Sequence, residues 1–309
     1  MCHTMELQIT EMIPTQTTTT TTTPVPKKIF IVPYRDRIQH KFFFSNYMTF
    51  LLEDDDDYEI YFAHQADSRP FNRGATKNIG FLAMKNKYPN DYLDIDFIFN
   101  DVDTMPFNKI MDYSTTHGIV KHLYGFNFAL GGIVIFKGAD FEAINGYPNF
   151  WGWGMEDNVV QNRCHLAGLQ IDRSQFYPLG DQNILQLFEG IKRVITHDSH
   201  ARAKQDNGVN GLSTIFGLRY DVSDVSRNPA DNINVVLNPN INVININSFS
   251  CLTSPSDHDF EVYDLRDKRV STKPIQMNLM SPNTSKNQTE RTVKRTLSNP
   301  ANKRFGMFM

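Results

Sequence analysis

Two short segments carry most of the chemistry that this sequence could perform. Asp101-Val102-Asp103 sets two carboxylates at alternate positions one residue, Asn100, after the apolar run Phe97-Ile98-Phe99. Hard divalent cations that also hold phosphate oxygens are usually bound by only one or two protein carboxylates, with substrate supplying further ligands. Taken alone, an Asp-x-Asp fits a solvated loop or a helix cap equally well. The second segment, Trp151-Gly152-Trp153-Gly154-Met155-Glu156-Asp157, is more unusual. Flat indole faces suit sugar rings, and the glycines allow backbone with positive φ beside them. Glu156 and Asp157 stand where a helix should begin; there the macrodipole favours negative charge and keeps a carboxylate ready to accept a proton. The plainer reading makes the tryptophans core and the acids caps.

Further candidates sit on two arginine-bearing turns and one histidine pair. Pro33-Tyr34-Arg35-Asp36-Arg37 and Phe71-Asn72-Arg73-Gly74 each come after a predicted strand. Arginine at such a place suits phosphate or a base, although surface ion pairing is the commoner use. His197 and His200 could offer imidazole to a metal, against the ordinary structural role of a lone histidine.

These residues need elements to position them. Ile29 to Val32 reads as a buried central strand, the segment up to Leu52 as a helix, and Tyr58 to Ala63 as a second strand. Arg73 to Lys87 predicts a helix and Phe97 to Phe99 a strand that delivers Asp101 to Asp103 at its C-terminal end, the edge where open α/β sheets bind ligands. Gly131 to Phe136 predicts another strand, Asn145 to Pro148 a turn, and Glu156 to Ala167 a helix stopped by Gly168. Asn232 to Asn247 alternates asparagine with Ile and Val around Asn238-Pro239-Asn240, the two-residue period of a hairpin, here expected as an edge ribbon.

The bulk properties agree with a globular enzyme. A chain of 309 residues, 40% hydrophobic, can bury a sizeable core, and a net charge of −3 gives no general attraction to nucleic acid. Cys2, Cys164 and Cys251 are too few and scattered for a disulfide framework, which fits a reducing, cytoplasmic setting. No segment reads as a signal peptide or a membrane helix. The expected organisation is a Thr-rich disordered leader over 1–28, one catalytic domain over 29–250, and a basic, disordered tail over 251–309. A nucleic-acid or membrane tether in that tail is a minor alternative.

Taken in order, the segments resemble the beta-1,4-galactosyltransferase family, whose blocks run PFRNR, FNRAxLLNxG, DVDxxP, FGG, INGFPNxYWGWGGEDDD, a metal-binding histidine, then DGLN. The counterparts here are Pro33 to Arg37; Phe71 to Gly74 with Asn78-Ile79-Gly80; Asp101 to Asp103 with Pro106; and Leu130-Gly131-Gly132. Ile144 to Asn149, Trp151 to Asp157, His197, and Asp206 to Asn210 complete the series. The resemblance covers roughly residues 27 to 237. It implies an α/β GT-A fold, a Rossmann-like sheet with a smaller acceptor-side subdomain. The implied activity is metal-dependent, inverting transfer from a UDP-sugar to a glycan or glycoprotein hydroxyl, with Mn²⁺ or Mg²⁺ as cofactor.

By that resemblance Pro33, Arg35, Arg37, Phe71, Arg73, Asp101 and Val102 serve the nucleotide. Asp103 with His197 and His200 holds the metal, and Asp157 is the general base. Glu156, Trp151, Trp153, Asn158, Ala129, Gly131 and Gly132 contact substrate, Trp153 on a closing loop. Four departures bear on specificity. Ala129 replaces a donor-facing tyrosine, which widens the expected sugar pocket towards N-acetylhexosamines. Asn158 replaces the third acid of the EDDD run, Val194 replaces a metal-ligating methionine, and the usual anchor and luminal cysteines are missing, as in a soluble microbial or viral member. A catalytically inactive glycan-binding module on the same fold is the alternative, as is a related polymer synthase.

Overall fold

The computed structural model of the chain describes residues 25–187, 192–224 and 238–264. Its centre is three parallel strands, β1 (Lys28–Tyr34), β2 (Tyr58–Gln65) and β3 (Asp96–Asn100), with β1 paired to both of the others. Helix α1 (Ile38–Leu51) connects β1 to β2, and α2 (Arg73–Lys87) connects β2 to β3. Alternate β1 residues feed opposite faces, as the pleat requires. Ile29 and Ile31 pack in a cluster with Ile79 and Ala83 of α2, whereas Phe30 and Val32 pack with Phe44 and Met48 of α1. The sheet is therefore covered on both sides, which explains why β1 reads as a continuous apolar run. Gly80 lets α2 approach closely: a Cβ there would stand 2.5 Å from Ile31 Cγ2.

Beyond β3 the direction changes. After the short β4 (Thr104–Pro106) come β5 (Ile119–Gly125) and β6 (Ile133–Lys137), β6 running antiparallel between β3 and β5. Helix α3 (Gly138–Ala143) leads to the Trp-Gly segment and α4 (Glu156–Leu166), followed by β7 (Gln170–Asp172), β8 (Tyr177–Pro178), β9 (Ile184–Gln186) and β10 (Lys192–Thr196). Helix α5 (Ser199–Gln205), β11 (Phe216–Asp224), β12 (Ile241–Ser250) and β13 (Phe260–Asp264) finish the described chain. The main sheet runs β11-β12-β2-β1-β3-β6-β5-β7, with β8 on β5; β4–β9 and β10–β13 form two small ribbons.

The predicted elements from β1 to β3 and α4 appear within a few residues of their expected limits, and Gly168 ends α4 with φ +74°. Two expectations change. Ile241 to Ser250 is not half of an edge hairpin: β12 lies between β2, parallel, and β11, antiparallel. Its Val243, Ile244 and Ile246 are buried, while Asn245 and Asn247 bond Asp221 of β11, so the polar face that suggested an edge is satisfied by the neighbouring strand. The structured chain also continues past 250, because β13 pairs with β10. The leader over 1–24, residues 232–237 and the tail from 265 lie outside the described residues.

Candidate active site

The C-terminal ends of β1, β2 and β3 point to one edge, and each releases a predicted segment there: Arg35 to Arg37, the approach to Phe71 to Arg73, and Asp101 to Asp103. Because β6 is antiparallel to β3, Gly131 and Gly132 enter the sheet at this same edge, where Asp101 N–H donates to Gly132 O at 3.0 Å. Arg73 begins α2 beside Asn72, whose side chain caps the helix by accepting from Ala75 N–H at 2.9 Å. Glu156 and Asp157 form the first turn of α4, reached through Gly152 at φ +80°, Gly154 at +122° and Met155 at +72°. The left-handed run accounts for the two glycines; Met155 adopts it with a side chain present.

Arg73 ties the site together. Its Nε and Nη2 donate to Asp101 at 2.6 to 3.2 Å, and its Nη1 donates to Glu156 Oε1 at 2.8 Å and to both Asp157 oxygens at 2.9 Å. Burial opposes the guanidinium charge, but Asp101, Asp157 and Glu156 outweigh it and hold the group well above the ordinary arginine range. Burial likewise acts against the Asp101 carboxylate, yet Arg73 and Lys77 pull it below the usual range. Asp157 is further fixed by its backbone carbonyl, which accepts from Leu130 N–H at 3.0 Å, and by Gly131, where a Cβ would stand 2.9 Å from Asp157 Cγ. Thus the proposed base and the nucleotide-side acid share one cation.

The other predicted residues divide. Arg37 reaches Asp103 at 2.8 Å, and Arg35 donates to the Arg69 carbonyl. Pro33 is buried in β1; Phe71 is half-buried, its carbonyl accepting from Gly152 N–H at 3.2 Å. The Val102 side chain belongs to the core, leaving only its backbone to a ligand. Ala129 is buried, and Asn158 anchors the adjoining loop by donating to Phe128 O at 3.1 Å.

The Trp153 side chain is 48% exposed, as a loop side chain facing solvent should be, while its backbone N–H donates to Val194 O at 2.8 Å. Trp151 differs from expectation: at 1% exposure it is a core residue, stacked on Phe249 with ring centroids 5.5 Å apart and with the Arg69 guanidinium over it. Its indole N–H donates to Thr253 O at 2.7 Å, so neither face nor edge is open to a sugar.

The metal set is not gathered as expected. His197 is 70% exposed and 3.5 Å from Glu261, His200 is exposed on α5, and among the described residues no three His, Cys, Asp or Glu side chains are grouped to hold a metal. His197 directly follows β10 and approaches Glu261 of β13, whose partner in the ladder is Ile195, a contact that no local pattern in the sequence announced. Sequence reasoning also passed over Lys77 and His122, because a lysine in a helix and a histidine in a strand carry no motif.

Comparison with known proteins places this geometry. Residues 7–116 match the family profile described as the N-terminal region of glycosyl transferase group 7, and residues 120–186 match that described as the N-terminal domain of galactosyltransferase. Beta-1,4-galactosyltransferase 7 of Mus musculus is 31% identical over 199 residues, which is 60% of this chain and 59% of the relative. Beta-1,4-galactosyltransferase 1 of the same species is 32% identical over 229 residues, 66% of this chain and 53% of the relative. The chain belongs to the beta-1,4-galactosyltransferase family. It spans a little over half the length of these relatives.

The family fold is confirmed in three dimensions. A mutant of Drosophila beta-1,4-galactosyltransferase 7, solved with manganese, UDP-Gal and xylobiose, superposes with a TM-score of 0.56 at 22% identity, over 72% of this chain and 94% of that one. The catalytic domain of the same enzyme with xylobiose gives 0.53 over the same shares. The architecture is thus the α/β GT-A fold. No helix among the described residues is long and apolar enough to cross a membrane.

Proposed function

We propose that the chain is a metal-dependent, inverting glycosyltransferase that moves a hexose or N-acetylhexosamine from a UDP-sugar to a glycan hydroxyl. The observation that carries this reading is the convergence of Asp101, Glu156 and Asp157 on Arg73 at the C-terminal edge of the parallel strands. Asp157, with a partly exposed carboxylate at the start of α4, is placed to take the proton of an acceptor hydroxyl. Arg73, Arg37 and Arg35 lie on the nucleotide side, where guanidinium groups can fork onto diphosphate oxygens. Gly131 leaves the space that the Asp157 carboxylate occupies, and Trp153 on its glycine-flanked loop can fold over the sugar and exclude water.

A manganese ion suits the donor chemistry of the residues implicated. Asp103 offers a carboxylate now shared with Arg37, and His197 an exposed imidazole beside Glu261; with His200 these would hold it once drawn together, which they are not in this structure. When bound, the ion neutralises charge on the departing UDP. The buried thiols of Cys164 and Cys251 are free, in keeping with a cytoplasmic setting, and burial pushes Cys164 up to about 12.

The test is UDP release across UDP-galactose, UDP-GalNAc and UDP-GlcNAc with glycan acceptors, with and without Mn²⁺. Wild type should transfer with inversion and Asp157→Asn should lose transfer while still binding UDP-sugar. Equal activity in the variant would sink the base assignment. The inactive glycan-binding module predicts no UDP release at all, and the presence of Asp103, Glu156 and Asp157 argues against it.

A further inference from the structure

Lys77 lies one helical turn beyond Arg73 and is the most deeply placed charge of the site, with 1% of its side chain exposed. Its ammonium is 3.4 Å from Asp157 Oδ1 and 4.2 Å above the ring centroid of Tyr147. Burying an ammonium is costly unless it meets a counter-charge, so the position is not explained by helix formation or packing alone. Counted from Phe71, the family block FNRAxLLNxG places its second leucine where this chain has Lys77. A cation therefore replaces an apolar group directly behind the residue read as the base.

Arg73 cannot by itself serve both partners. Its Nη1 is already committed to Glu156 and both Asp157 oxygens, and its Nε and Nη2 to Asp101, so a donor diphosphate engages it only by competing with these carboxylates. We propose that Lys77 is a positioning residue for the transfer, a fixed cation that keeps the Asp157 carboxylate oriented and paired when Arg73 turns to the donor. This rests on the reading of Asp157 as general base. Lys77 is held by the Tyr147 ring and the core and does not follow Arg73; it keeps its proton throughout, and the acceptor proton goes to Asp157.

The groups facing this carboxylate are Arg73 and Lys77 from α2, Glu156 from its own helix and Asp101 from the end of β3. His122 from β5 and Tyr147 from the preceding loop complete the set, with Cys164 of α4 beyond Tyr147. Burial, and then Arg73, draw the Lys77 ammonium below the ordinary lysine range, against the pull of Asp157, Asp101 and Glu156.

The experiment compares wild type with Lys77→Met, which keeps length and removes charge. It follows kcat and KM for donor and acceptor across pH, UDP-sugar binding by calorimetry, and thermal unfolding. The low-pH arm of kcat/KM should move up, so that Lys77→Met loses more activity at the acid end of the profile than on the plateau at higher pH, with donor binding unchanged within about twofold. Loss by the same factor at every pH, or no loss, overturns the proposal. If Lys77→Met does not fold, Lys77→Gln, which retains a donor without charge, must show the same displacement. An inactive wild type, or an active Asp157→Asn, overturns the base reading itself; an active wild type with a dead Asp157→Asn and an unmoved Lys77→Met profile overturns only the role of Lys77.

Discussion

Replacing Gly131 by alanine perturbs the base without touching any charge. Gly131 lies outside the left-handed region, so alanine meets no backbone strain; the difficulty is the Asp157 carboxylate, whose Cγ would be 2.9 Å from the new methyl and whose Oδ2 would be nearer. One of the two must move. The glycine is pinned, since its carbonyl lies 3.0 Å from His122 Nε2 and the next carbonyl accepts from Asp101 N–H at 3.0 Å. The His122 Nδ1 accepts from Arg173 Nε at 3.0 Å, which assigns the proton to Nε2 and makes that anchor a real donor. The carboxylate therefore turns out of the orientation in which the Arg73 and Lys77 cations hold it. A hydrogen bond to a charged group is worth about 1.5–3 kcal/mol, which corresponds to a fall in kcat of roughly 10- to 150-fold. Steady-state kinetics with saturating donor and acceptor would show it, alongside a thermal midpoint shifted by only a few degrees. A Gly131→Ala enzyme with wild-type kcat would refute the reasoning, because it would mean that the carboxylate is not held against this glycine.

Other perturbations separate site from scaffold. Trp151→Ala should cost about 3–5 kcal/mol in chemical denaturation, as for other buried aromatics, whereas Trp153→Ala should change stability by less than about 0.5 kcal/mol and lower kcat/KM; the reverse pattern would contradict the placement of the two rings. Arg163 is paired with Asp206 at 2.5 Å, both nearly inaccessible, and also donates to the carbonyls of Gly146 at 2.8 Å and Asn210 at 2.7 Å. Arg163→Ala should destabilise by about 3–5 kcal/mol, read as a lowered denaturation midpoint, by stranding Asp206. Burial, with Arg173 adding to it, pushes His122 down to about 4 from 6.5. The unfolded chain therefore binds the proton first as pH falls, and stability is lost between about pH 6.5 and 4, by roughly 3 kcal/mol in all. His122→Asn should flatten that part of the stability-versus-pH curve, and an unchanged slope would show that another group is responsible.

Much of this was legible in one dimension because the family blocks fall where local rules are strongest. β1 and β3 are apolar runs long enough for strands, Arg73 follows an asparagine cap, and the glycines at 152 and 154 sit where the backbone adopts positive φ. Those rules fix which residues leave the sheet edge, and the resemblance to the family is what named Arg73, Asp101, Glu156 and Asp157 as one site. Tertiary structure decided what the pattern left open. Two tryptophans separated by one glycine look alike in sequence, yet Phe249 and Arg69, distant along the chain, bury Trp151 and leave Trp153 outside. The Asn-Ile alternation of β12 has the period of an edge strand, and only the arrival of β11 with Asp221 makes it internal. Lys77 is one more polar residue on a helix until α4 brings Asp157 against it. Periodicity and backbone preference are properties of neighbours in sequence, whereas burial and charge pairing depend on which distant segments meet.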